Sequence, residues 1–139
     1  MRVLLAALLT ITAALAAGDD RALLPKTNLT GILTVPSHLL DPSLAAGGVL
    51  GNYHDAKGAY QLMLVRLATN EKAAFLLLDL KHLMTDAHYL AHMGGFAGKK
   101  GGQPFYTFAK GPFLAVVQGK PEAQADTLAR IFAARLPLR

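Results

Sequence analysis

GAYQLMLVRLATNEKAAFLLLDLKHLM, residues 58–84, decides the architecture. Its first part, Ala59 to Leu67, places Tyr60, Leu62 and Leu64 on one side of an extended chain and Met63, Val65 and Leu67 on the other. A strand apolar on both faces belongs in the middle of a sheet. Ala68-Thr69-Asn70 then offers a helix cap, and Glu71 suits the positive end of the helix dipole. The absence of β-branched residues from Glu71 to Met84 favours a helix there over a buried strand. Ala73 to Leu78 is apolar on every side, so this helix is expected to be enclosed by the rest of the chain.

Upstream, Leu29 to Val35 alternates as a half-buried strand ended by Pro36. Asp41-Pro42 followed by Gly47-Gly48 suggests a short helical turn over Ser37 to Ala46. Val49 to Tyr53 and Ala59 to Leu67 form a hairpin across the Asp55 to Gly58 turn. Downstream, Asp86 caps a second helical piece, Ala87 to Met93, and glycine-rich Gly94 to Pro104 reads as a mobile loop. Phe105 to Ala109 and Phe113 to Gln118 make a second hairpin. After Pro121 the stripe of Ala125, Leu128, Ala129, Phe132 and Leu136 makes an amphipathic helix, with Asp126 and Arg130 as a surface pair. Together these predict an α+β fold, a mostly antiparallel sheet of about four to five strands with helices on one face. The recurrence of hairpin then helix suggests a duplicated unit.

The 139 residues, 53% hydrophobic and 17% charged, fit one domain with a substantial core. A net charge of +5 arises from cations scattered singly except at Lys99-Lys100, which argues against a nucleic-acid stripe. At the N-terminus Met1-Arg2 precedes an apolar run to Leu15 and a small-x-small site at Ala14-Leu15-Ala16. Residues 1–17 therefore read as a secretory signal cleaved after Ala16 or Ala17, leaving a single domain over 18–139. The rival, a retained anchor, has too short a run: about 15 residues against the roughly 20 that span a bilayer. With no cysteine, neither disulfides nor an acylated lipoprotein cysteine can form, and packing must supply stability. The alanine- and leucine-rich leader points to a bacterial periplasm, with membrane association peripheral at most.

Catalytic signatures are absent from the sequence. There is no phosphate-binding glycine loop, no Gly-x-Ser-x-Gly and no His-Glu-x-x-His, and the only serines are Ser37 and Ser43. Histidine is the exception. His88 and His92 are four apart, with His82 and Asp86 nearby, a grouping that can bind zinc or copper. A polar helix end is the simpler account, and no cofactor is otherwise expected. Lys99 and Lys100 offer a basic loop for an anionic partner, against a plain solvated connection. Phe105, Tyr106, Phe108 and Phe113 are either a ligand groove or core, and packing is the simpler reading.

The Lys57-Gly58-Ala59-Tyr60 hairpin, the Asn70 to Phe75 helix start and the Phe108 to Phe113 strand and turn resemble a family of exported bacterial proteins known only as a domain of unknown function. The resemblance spans roughly Leu24 to Leu136 and implies a secreted α+β domain without catalytic residues to transfer. Function is accordingly expected to be non-enzymatic: an envelope binding module or accessory subunit of a larger complex. Its protein partner would dock on Phe75, Leu78, Lys99 and Lys100. The alternative is a periplasmic metal or small-ligand binder using His82, His88 and His92; a hydrolase with an unrecognised site ranks third.

Overall fold

A computed structural model describes residues 20–138, and the secretory signal read from residues 1–17 lies outside them. Seven strands form one antiparallel sheet: β1 (Leu29–Val35), β2 (Gly48–Asp55), β3 (Gly58–Arg66), β4 (Thr85–Leu90), β5 (Gly95–Lys100), β6 (Gln103–Lys110) and β7 (Phe113–Gln118). Their order is β1-β2-β3-β7-β6-β5-β4. Helix α1 (Asn70–Leu83) follows β3, and helix α2 (Glu122–Arg135) follows β7. The α+β class holds, but the sheet has seven strands where about four to five were expected.

The centre is the pair β3 and β7, joined from Gln61 opposite Gln118 to Arg66 opposite Phe113. Both strands are apolar on both faces, so the sheet needs two covers. One face carries Met63, Val65, Phe105, Leu114 and Val116 under Leu76, Leu77 and Leu80 of α1. The other carries Leu62, Leu64, Tyr106, Phe108, Phe113, Ala115 and Val117 under Ala125, Ala129 and Phe132 of α2. The helices thus lie on opposite faces, correcting the expectation of a single helical layer. Where they do not reach, over β2 and β3, the α1 face is capped by Leu39, Leu40 and Leu44, and the α2 face by Leu23 and Leu24.

This arrangement also removes the duplicated-unit reading. Only a two-fold axis perpendicular to the sheet exchanges the antiparallel neighbours β3 and β7. Such an axis would keep both helices on one face, which they are not.

Three local expectations fail for identifiable reasons. Residues 37–46 are an irregular cap: the Asp41 carboxylate accepts bonds from the Ser43 amide and hydroxyl, and Asp41 bridges to Leu44. Short polar side chains that bond their own backbone compete with helix in this way. Ala87 to Met93 belongs to β4 and the turn after it, because His88, Tyr89 and Leu90 pair with Ala97, Phe96 and Gly95. Gly94 to Pro104 contains β5 and a tight hairpin. Gly101 and Gly102 have φ of 59° and 79°, as a two-residue turn with both centres left-handed requires. Gly95 is a strand glycine set by close approach, since a Cβ there would come within 2.1 Å of the Thr107 carbonyl oxygen.

Helix α1 begins as expected: the Thr69 side chain accepts a bond from the Lys72 amide at 3.1 Å. It is not enclosed, however. Phe75 remains 64% exposed and Leu78 46% exposed. Among the described residues no helix is long and apolar enough to cross a membrane.

Candidate functional site

The histidines expected to act together are separated by the sheet. Helix α1 carries His82 on one side, where its Nδ1 lies 2.7 Å from the Leu78 carbonyl oxygen. His88 and His92 face α2 on the other side. Strand β4 presents His88 so that its Nε2 is 2.8 Å from a Glu122 carboxylate oxygen, and the following turn brings His92 Nε2 to Asp126 at 2.5 Å. Glu122 and Asp126 are one helical turn apart, so two histidine–carboxylate pairs fasten the edge strand to α2. Among the described residues no group of three or more His, Asp or Glu side chains is arranged to hold a metal ion.

Asp126 is the hub of this clasp. It accepts from His92, from the Tyr106 hydroxyl and from Arg130 Nε at 2.8 Å. Those bonds, His92 first, hold its carboxyl well below the usual carboxylate range. A carboxylate so saturated stays ionised and makes a poor proton shuttle. Burial, aided by the Asp126 bond, pushes the Tyr106 hydroxyl above its ordinary value. The Glu122 hydrogen bond makes His88 more basic than a free imidazole.

A raised histidine pKa stabilises the fold below the unfolded value near 6.5, and the contribution is lost as pH rises through the folded value. The melting temperature is therefore expected to fall between pH 6 and pH 8 more in the wild type than in His88→Gln. The pair is half exposed, so the difference should be about 1–3 °C. Equal pH dependence in scanning calorimetry would show that the His88–Glu122 pair contributes nothing.

Lys99 and Lys100 also part company, because neighbouring strand residues point to opposite faces. Lys100 lies on the α1 face, ion-paired to Asp41 at 2.8 Å and 5.9 Å from the Phe105 ring centre. Lys99 points to the α2 face. There it borders a 280 Å³ cleft with Asp86, Phe105 and Glu122. Phe105, Tyr106, Phe108 and Phe113 are all buried, which answers the choice between groove and core in favour of core. His54 is exposed beside Asp55, and His38 adopts φ of 56° in the loop cap.

Three features escape sequence reading. Lys120, only 4% exposed, spans from the end of β7 to Asp55 in the β2–β3 turn at 2.8 Å and lies 4.9 Å from the Tyr60 ring centre. Asn52, Gln61, Gln118 and Gln103 form a row of amides across β2, β3, β7 and β6, bonded as Gln61 to Asn52 and Gln118 to Gln103. They line a 590 Å³ groove. Each pair lies within one hairpin, Asn52–Gln61 in β2–β3 and Gln103–Gln118 in β6–β7, but joining them into one row needed the β3–β7 pairing, which sets Gln61 opposite Gln118. The third is Tyr89, 62% exposed on β4 and edge-on to Phe96, on the same side of the sheet as α1.

No family model matches the chain, and no curated protein matches its sequence. Among solved structures, a GTP binding regulator from Thermotoga maritima superposes with a TM-score of 0.62 at 15% identity. The match covers 86% of this chain and 85% of that one. At that identity the likeness shows a shared fold.

Proposed function

We propose that the protein is an exported, non-enzymatic binding module of the bacterial envelope that docks a protein partner on the outer face of α1. One observation carries this reading: Phe75, Leu78 and Leu83 of α1, with Tyr89 of β4 on the same side of the sheet, are 64%, 46%, 39% and 62% exposed. Phe75 and Leu78 are three apart and share one stripe of the helix. A large aromatic flanked by leucine is the kind of anchor that dominates protein interfaces. Helix α1 carries three exposed large apolar side chains where α2 carries one, Ile131, and that concentration supports use of the α1 surface. The address rests on the leader sequence of residues 1–17. Lys100, held by Asp41, serves the cap on this face; Lys99 belongs to the other face and is not part of the surface.

The test is retention of a partner from the source envelope fraction. Wild-type protein is expected to hold one discrete partner, and Phe75→Glu should weaken that binding about tenfold or more, as loss of an interface anchor does. Circular dichroism should be unchanged, because Phe75 contributes little to the core. Equal retention by Phe75→Glu and Leu78→Glu would overturn the assignment. An intact mass lacking residues 1–16 or 1–17 would establish processing; an unprocessed cytoplasmic protein would refute export.

A further inference from the structure

The two edges of the sheet are treated differently. Strand β4 carries Asp86 and His88, is broken by a bulge between Thr85 and His88, and is clasped to α2 through His88. Charges, bulges and covering elements are the usual means of keeping an edge from pairing with another chain. Strand β1 lacks them along most of its length. No Asp, Glu, Lys or Arg occurs from Thr27 to Leu40. Its one irregularity is confined to Leu29–Gly31, and Pro36 lies just past its end. Among the described residues its outer edge pairs with no strand. Gly31 to Val35 runs in unbroken register with Asn52 to Gly48, so a straight five-residue segment offers alternate free amides and carbonyls.

The geometry points to a homodimer in which β1 pairs antiparallel with β1 of a second copy, about a two-fold axis at Leu33. Side-chain placement favours that occupant and register. Leu33, 55% exposed, lies opposite Leu50 on the α1 face, and at the axis it meets its own copy. Ile32 and Thr34 share the α2 face and fall opposite each other. Gly31 and Val35 share the α1 face and do likewise. A Cβ at Gly31 would meet nothing within 4 Å, which leaves room beside it for the valine of the second copy. A neutral strand has no charge with which to select a charged partner, and like-with-like pairing brings no repulsion across the axis. The pairing would fuse two seven-stranded sheets into one. This inference does not depend on the α1 docking surface.

The chain has no cysteine, so one introduced thiol reports on one contact. In the full-length protein, Leu33→Cys is expected to form a reducible disulfide-linked dimer under mild oxidation, while Tyr89→Cys on the opposite edge stays monomeric. In sedimentation equilibrium, Leu33→Lys and Thr34→Lys should each raise the dimer dissociation constant about tenfold or more. Phe75→Glu should leave it unchanged. The inference is overturned if the wild type is monomeric at about 100 µM, or if Leu33→Lys dimerises as the wild type does. It is equally overturned if Tyr89→Cys cross-links as readily as Leu33→Cys, or if Phe75→Glu disperses the dimer.

Discussion

Truncating Phe132 to alanine is expected to cost about 3–5 kcal/mol, the range for deleting a buried aromatic ring. Phe132 is fully buried and meets Phe108 edge to face, with ring centres 6.3 Å apart and planes at 87°. The small residues beside it, Ala125 and Ala129, bring α2 close to the sheet and leave Phe132 as its main wedge. They cannot swing to fill the gap. Domains of this size have only about 5–15 kcal/mol in total, so the melting temperature should drop by roughly 10–20 °C. Ile131→Ala, one residue away but 51% exposed, should be nearly silent. A fall below about 5 °C for Phe132→Ala in scanning calorimetry would mean that α2 is not the cover of this face.

Removal of the Lys120 side chain should be nearly as damaging. Its ammonium is enclosed between Asp55 and the Tyr60 ring, and the Asp55 carboxyl is held below its ordinary range chiefly by that contact. Breaking a buried ion pair from one side leaves the other charge in a poor environment. Asp55 is 29% exposed and also accepts from the Lys57 amide, so it retains some solvation. Lys120→Ala is therefore expected to lower the urea midpoint clearly, but by less than breaking a fully buried pair would. Lys120→Met keeps the stem against Tyr60 and should lose less. Urea unfolding of Lys120→Ala, Asp55→Ala and the double variant measures the pair directly. Additive losses would show that the two residues do not act together.

What the sequence disclosed follows the local physics. The β2–β3 and β6–β7 hairpins and both helices were legible because turn glycines, caps and apolar periods act within a few residues. Strands β4 and β5 were not. Gly95, Gly98, Gly101 and Gly102 read as loop punctuation, yet the first is demanded by strands approaching each other and the last two by a tight turn. His88 and His92 looked like one face of a helix, but their spacing instead matches Glu122 and Asp126, whose position depended on the whole fold. The joining of the two hairpins into one sheet was set by β3 meeting β7, a pairing that leaves no local signature. The exposure of Phe75 and Leu78 likewise depends on α1 having nothing beyond it among the described residues, which composition alone cannot express.

That central pairing has a kinetic consequence. Residues 61–66 and 113–118, which make the middle of the sheet, are separated by about a third of the chain. Until the last strand is available, β3 has an open edge on one side and β6 has another, and neither apolar face of β3 has its full cover. Closing a loop this long costs entropy before any reward from packing. Folding should therefore begin in the two local hairpins and wait for the seam to close. During that wait, the apolar residues of β3 are open to a wrong partner.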